Sequence, residues 1–236
     1  MKNDIFNIYF FIIGIILGHL FNIYFFVEKE CGHCGQNILI KRILIELSTG
    51  ILFLITYNIY GLDIIIINYL VFIYLLLIIT IIDTKYYIIP NNILLFGSIF
   101  TLLFNLINKE IYTKDSLIGA IVCGGGVFIL SSLIEFISKK EVIGGGDIKL
   151  FFMVGLFLGI KLGLLTIFLS TYLGLFYAIL ITIHSKIKKL EYNLMIPYGP
   201  FVSLGAIISV LCGTNIINWY VNKLELFYFV NTQIWF

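Results

Sequence analysis

Long apolar runs with almost no charge limit what this chain can fold into more than any other feature of its sequence. Of its 236 residues, 61% are hydrophobic and 12% are charged. A soluble core of this size cannot bury so much apolar surface, whereas a bilayer accepts it on every side of a helix. The runs are continuous and do not alternate with polar residues, which favours helices over a barrel. The sequence therefore predicts an all-α, polytopic membrane protein.

About eight of these runs approach the length needed to cross a bilayer. They are residues 5–26, 39–59, 64–82, 91–106, 117–137, two helices within 148–183, and 196–212. The long block is divided because Gly159, Lys161 and Gly163 interrupt its middle. The aromatic tail that follows has the composition of an interfacial segment rather than of a ninth span. We predict one membrane domain over residues 1–236, with a short cytoplasmic loop at 27–38.

The distribution of basic residues predicts the orientation of these spans. Ten of the 15 Lys and Arg residues lie in the loops after spans one, three, five and seven. The positive-inside rule places those loops in the cytoplasm, on the side where the candidate chemistry also lies. The net charge of +2, with no block of basic residues, argues against a nucleic-acid partner.

Two aspartates stand at predicted helix ends on this cytoplasmic side. Asp83 ends the third span, shortly before Pro90, and Asp147 follows the triplet Gly144 to Gly146 and opens the sixth span. Each alone is equally well explained as a solvated helix end. A pair suits peptide hydrolysis, because one carboxylate activates a water while the other, as an acid, protonates the carbonyl oxygen. No cofactor is needed for that reaction.

The surroundings of each aspartate predict different roles. A helix N-terminus favours an anion, so Asp147 is expected to be the base, and Asp83 at a helix C-terminus is expected to be the acid. The glycines allow unusual backbone conformations and close approach, which suits an extended substrate beside Asp147.

Other polar residues are weaker candidates. Glu46 falls within the second span, and ionisable residues inside membranes are often functional. Cys31 and Cys34 form half of a zinc site, but the sequence holds no second CxxC pair to complete it. His19 and His184 belong to no GxSxG or HExxH pattern, so serine and zinc proteases are not indicated.

Taken in order, these motifs resemble the type IV prepilin peptidase family. Residues 144–147 resemble the Gly-x-Gly-Asp motif of that family, and Asp83 with the later Ile-Pro-Asn at 89–91 resembles its first aspartate motif. Further similarity lies in residues 31–35 and 45–50, in 197–201, and in Gly18 with Asn22.

The resemblance implies an eight-span aspartyl endopeptidase of the bacterial cytoplasmic membrane, active at its cytoplasmic face. Its substrates would be prepilin or pseudopilin precursors, cut after a Gly that ends a short basic leader and before the apolar helix that follows it. Asp83 and Asp147 would be catalytic. From the residues themselves we further expect Gly144, Gly146 and Lys149 to contact the substrate. Because they are acidic residues on an otherwise basic surface, Glu28, Glu30 or Glu46 is expected to face its basic leader.

Many members of that family also N-methylate the new terminus with S-adenosylmethionine. This chain departs from the fuller pattern, because its loop at 27–38 is short and holds one CxxC pair where the family has two. Methylation and zinc binding therefore stay open. Two alternatives to a prepilin peptidase also remain: a presenilin-like protease that cuts within the bilayer, although Ile82 stands where that class has Tyr before its Asp, and a small ion-coupled transporter.

Overall fold

A computed structural model describes the backbone of residues 2–26, 35–108, 113–139, 143–188 and 196–233, and the side chains of 5–23, 40–108, 113–139, 143–186, 188 and 196–223. All regular structure within these ranges is helical. The helices are α1 (Lys2–Phe26), α2 (Gly35–Tyr60), α3 (Ile65–Tyr86), α4 (Asn91–Ile107), α5 (Thr113–Ala120), α6 (Gly126–Ser138), α7 (Gly145–Lys188) and α8 (Gly199–Gln233). One π-helical turn, Ile121–Gly125, joins α5 to α6.

The described helices confirm a polytopic all-α membrane protein. Six helical segments are long and apolar enough to cross a membrane, counting α5 to α6 as one rod, and α4 is a shorter apolar helix. The longest, α7, has 44 residues and is broken at Gly159, where φ is 70°. The division predicted for this block is therefore confirmed. If the two halves of α7 are counted separately and the shorter α4 is included, the described part of the chain has eight apolar segments, as predicted.

The kink in α7 lies where α5 and α7 pack backbone to backbone. A Cβ added to Gly119 would lie 2.6 Å from the carbonyl oxygen of Gly155 and 2.8 Å from the Cα of Gly159. The hydroxyl of Ser116 donates to the carbonyl of Leu156, in the turn before the kink. Small residues spaced by four are typical of close helix pairs in membranes, and side-chain donors satisfy backbone groups at membrane kinks.

Gly119→Ala is expected to destabilise the protein by about 1–3 kcal/mol, because the new methyl group meets main-chain atoms that cannot move aside cheaply. Gly126→Ala is the matched control. It lies in the same membrane rod, and a Cβ there has no neighbour within 4 Å. Thermal unfolding of the two variants in one detergent measures the difference. Equal melting temperatures would contradict this account of the α5–α7 contact.

Two differences from the predicted helix boundaries concern the loop after α1 and the aromatic tail. Helix α2 begins at Gly35, so the end of the predicted loop at 27–38 is already helical. The aromatic tail is not a separate segment, since α8 continues as one helix of 35 residues to Gln233. After Gly213 the sequence holds neither Gly nor Pro, so nothing in the tail interrupts the helix.

Helix α3 contacts α2, α4, α7 and α8 within the described structure. Phe72, Ile73, Leu76 and Ile79 are fully buried along it. The ring of Phe72 stacks on Phe157 of α7, with centroids 4.4 Å apart. This packing fixes the direction in which the last turn of α3 presents Asp83 to its neighbours.

Candidate active site

Asp83 and Asp147 line one open cavity of about 370 Å³, although 64 residues of sequence separate them. The remaining lining residues come from the α3–α4 connection, from the start of α7 and from the segment before α8: Tyr87, Ile88, Ile89, Asn91, Gly144, Gly145, Gly146, Lys149, Ile196, Pro197 and Tyr198. The structure therefore brings the two aspartates together with Gly144, Gly146 and Lys149, to which the sequence assigns substrate contact.

Asp83 is held at its position by contacts of its main chain and of its side chain. The N–H of Tyr87, a residue with left-handed conformation at φ 56°, donates to the carbonyl of Asp83 and ends α3. The Asp83 side chain is only 4% exposed, and its Oδ2 accepts a 2.8 Å hydrogen bond from the N–H of Gly199. Gly199 is the first residue of α8, so the N-terminus of α8 points at Asp83.

Gly199 is a site residue that reasoning from residue chemistry missed. A Cβ there would lie 2.8 Å from Oδ2 and 3.1 Å from Cγ of Asp83, so no other residue fits without moving the carboxylate. Before the structure, Gly199 stood out only as part of the motif at 197–201. A Gly between Tyr198 and Pro200 at the start of a helix was the available signal.

Two glycines of the triplet before Asp147, Gly144 and Gly146, lie where a side chain would make a close contact. The Asp147 N–H donates to the carbonyl of Gly144 at 3.0 Å, and this turn opens α7. A Cβ on Gly144 would lie 3.2 Å from Asp147 Oδ2, and one on Gly146 would lie 3.2 Å from Cβ of Ile89. The absence of side chains therefore lets the first turn of α7 lie against the α3–α4 connection.

The structure removes the reason for assigning different roles to the two aspartates. Asp147 lies in the first turn of α7, as predicted. Asp83 lies in the last turn of α3 but receives the first N–H of α8. Both carboxyl groups thus lie at helix N-termini, and the helix dipoles do not decide which one is the base.

Lys149 lies at the rim of the same cavity, one turn into α7. Its Nζ donates a 2.9 Å hydrogen bond to Oδ1 of Asn91, the first residue of α4. This bond ties α7 to the start of α4 and keeps a cationic group in the lining of the cavity that contains the carboxylates. Asn91 is a further lining residue for which the sequence predicted no role.

Glu46 lies elsewhere and is not among the residues that line the cavity. Its Oε1 is 2.8 Å from Nδ1 of His19 and accepts a 3.0 Å hydrogen bond from Nδ2 of Asn22. The Asn22 amide also donates to the carbonyl of Arg42, and Asn22 is buried. Glu46 therefore joins α1 to α2. Glu28, Glu30, Cys31 and Cys34 lie outside the described residues. Within the described part of the chain, no cluster of three or more His, Cys, Asp or Glu side chains could hold a metal ion.

Glu46→Gln is expected to lower the melting temperature while leaving the apparent Michaelis constant for a basic leader unchanged. The amide still accepts from Asn22 but loses its charge opposite His19, a change worth about 1 kcal/mol or less because the pair is partly exposed. Kinetics with leaders of different charge, measured beside thermal unfolding, test this. A Michaelis constant that rises only for the more basic leaders would support a leader contact instead.

A helical membrane protein with two aspartates in one open cavity has the architecture of a membrane aspartyl peptidase. The model of a family described as "Type IV leader peptidase family" matches residues 70–179, a range that includes both aspartates. The Prepilin leader peptidase/N-methyltransferase of Bacillus subtilis (strain 168) is 30% identical over 194 residues, which cover 82% of this chain and 75% of that protein. This chain belongs to the type IV leader peptidase family and is a peptidase.

Proteins with the same name from other bacteria show comparable similarity. The protein of Vibrio cholerae serotype O1 (strain ATCC 39315 / El Tor Inaba N16961) is 30% identical over 193 residues, covering 77% of this chain and 70% of its own length. That of Pseudomonas putida is 25% identical over 200 residues, covering 85% and 67%. No solved structure matches the chain.

Proposed function

We propose that this chain removes the short basic leader from prepilin or pseudopilin precursors at the cytoplasmic face of a bacterial inner membrane, with Asp83 and Asp147 as the catalytic pair. The observation that carries the proposal is the placement of both carboxyl groups in one open cavity beside a glycine-lined turn. The names of the relatives support prepilins as the substrate class. The excess of basic residues in the loops on this side supports the cytoplasmic orientation.

The reaction uses one carboxylate, one carboxylic acid and a water molecule. The carboxylate takes a proton from the water, whose oxygen bonds to the carbonyl carbon of the scissile peptide. The carboxylic acid gives its proton to the carbonyl oxygen. The tetrahedral intermediate then collapses: the C–N bond breaks, the nitrogen takes the proton held by the first aspartate, and the hydroxyl returns its proton to the second. The pair ends with one shared proton, as it began.

The walls of the cavity suit an extended substrate. Gly144, Gly145 and Gly146 line it without side chains, so a peptide backbone can approach Asp147 closely. The Gly199 N–H holds Asp83 in position, because it is hydrogen-bonded to the carboxylate before substrate binds. Lys149, held at the rim by its hydrogen bond to Asn91, adds one cation to the lining of the cavity that contains the two carboxyl groups.

This proposal concerns proteolysis alone. Zinc binding by Cys31 and Cys34 and N-methylation with S-adenosylmethionine, which the sequence left open, enter no step of it. N-methyltransferase is part of the names of the relatives, so the experiment below also records whether the product gains a methyl group.

The test is incubation of the purified protein, reconstituted in lipid, with a full-length precursor whose leader ends in Gly. Mass spectrometry of the products identifies the bond that is cut. We expect one cut directly after that Gly, and none when the leader Gly is replaced by a bulky residue. A cut within the apolar helix would support the presenilin-like alternative. No cut by folded protein would contradict the proposal.

A further inference from the structure

A second cavity adjoins the one that contains the aspartates. It is an open groove of about 410 Å³ between α4 and α7. Its lining is mainly apolar and consists of Asn91, Leu94, Leu95, Ser98, Lys149 and Phe152. We call it the α4–α7 groove.

The spacing of these residues shows that the groove follows the helices. Asn91, Leu94, Leu95 and Ser98 are separated by three or four residues and form one face of α4, and Lys149 and Phe152 are three apart on α7. At 1.5 Å per residue, Ser98 lies about 10 Å along α4 from Asn91. The side chains of Leu95 and Phe152 are 60% and 41% exposed, so the groove is open to whatever lies beside α4.

The groove and the aspartate cavity share a border. Asn91 and Lys149 line both, and the hydrogen bond between them crosses that border. A chain that lies across Asp83 and Asp147 can therefore pass this pair and enter an apolar channel that runs along α4. The change from polar to apolar lining occurs within one helical turn of Asn91.

We propose that the α4–α7 groove holds the apolar helix of the substrate, the part of the precursor that follows the scissile bond. This inference rests on the proposed function, because it requires a leader peptidase whose substrate carries such a helix. The bound precursor is polar and extended at the cleavage site and apolar beyond it. The two adjoining cavities follow the same order, with a polar lining around the aspartates and an apolar lining in the α4–α7 groove. Cleavage then leaves the product helix in the groove, with its new N-terminus in the aspartate cavity beside Asp83 and Asp147.

Apolar contact alone does not select a helix, because lipid tails are as apolar as the groove. The selection comes from shape and from the tether to the aspartate cavity. Ser98 has a small side chain at the far end of the groove, and small residues let two membrane helices approach closely. A lipid chain is the competing occupant, and the experiments below distinguish the two.

Photo-crosslinking identifies the occupant directly. A photoreactive amino acid replaces Ser98, or Leu95, in the Asp147→Asn protein, which is expected to bind the precursor without cutting it. The same amino acid at Leu103, which is exposed on the side of α4 turned away from the groove lining, is the matched control. We expect cross-links from positions 98 and 95 to the apolar segment of the precursor and at least about tenfold fewer from 103, because the two positions lie on different faces of α4. Cross-links to lipid alone, or equal yields at 98 and 103, would overturn the inference.

Filling the groove provides a second, kinetic test. Ser98→Trp is expected to raise the apparent Michaelis constant for the full-length precursor about tenfold, with little change in turnover, because it blocks binding and not chemistry. Leu103→Trp adds the same ring to the same helix outside the groove and is expected to match the wild type. Both are compared in proteoliposomes after thermal unfolding has shown that they are folded. A normal Michaelis constant in folded Ser98→Trp would overturn the inference.

The two proposals fail in different ways. If the wild type leaves the precursor uncut, the proposed function is wrong. If the wild type cuts after the leader Gly while positions 95 and 98 give no precursor cross-links, the peptidase function stands and only the α4–α7 groove is misassigned.

Discussion

Asp83→Asn and Asp147→Asn are each expected to reduce leader cleavage by about a thousandfold or more while the protein still inserts and folds. Neither amide can exchange the proton that the reaction requires, and one positioned acid or base is worth about 10²–10⁴-fold. Folding is spared because the change is nearly isosteric. In Asp83→Asn the side-chain oxygen can still accept the N–H of Gly199, so the start of α8 keeps its contact.

The double variant should be no less active than either single variant, because groups that act as a unit are strongly non-additive. Asp63→Asn is the control, since it makes the same chemical change at an exposed position between α2 and α3. Wild-type cleavage should follow a bell-shaped pH profile, because one carboxyl group must be charged while the other is neutral. Single-turnover cleavage by folded protein is the measurement. Substantial activity in either single variant would exclude the aspartyl mechanism.

Gly199→Ala is the second large expected effect, a loss of about a hundredfold in turnover with little loss of stability. The new methyl carbon would lie 2.8 Å from Oδ2 of Asp83, well inside van der Waals contact. The cheapest relief is rotation of the carboxylate, which breaks its hydrogen bond to the Gly199 N–H and displaces it from Asp147. A displacement of about 1 Å in a reacting group can cost about a hundredfold in rate.

Gly126→Ala serves as the matched control for this substitution as well, since a Cβ there meets nothing within 4 Å. Turnover and thermal unfolding should be measured on the same preparations. We expect Gly126→Ala to match the wild type in both. If Gly199→Ala unfolds early, or if it keeps full turnover, the role assigned to Gly199 as the residue that positions Asp83 is wrong.

The positions of the two aspartates at helix ends could be predicted from the sequence because that information is local. A continuous apolar run predicts a spanning helix, and the point where it meets polar residues predicts its end. Asp83 and Asp147 stand at such points, and Gly159 interrupts an apolar block that is too long for one span. The structure agrees with each of these, in the last turn of α3, the first turn of α7 and the kink of α7.

What only the tertiary structure decided depends on contacts between distant parts of the chain. The Gly199 N–H reaches Asp83 across 116 residues, and no local pattern specifies that contact. The same holds for Glu46, whose position inside a span suggested a substrate contact but whose partners on α1 place it outside the cavity lining. Hydropathy determines which residues enter the bilayer, but only the packing of the helices determines which polar side chains meet there. The sequence by itself therefore determined the spans and the placement of the two aspartates at helix ends. The packing of α3, α4, α7 and α8 decided how the cavity and the adjoining α4–α7 groove are built.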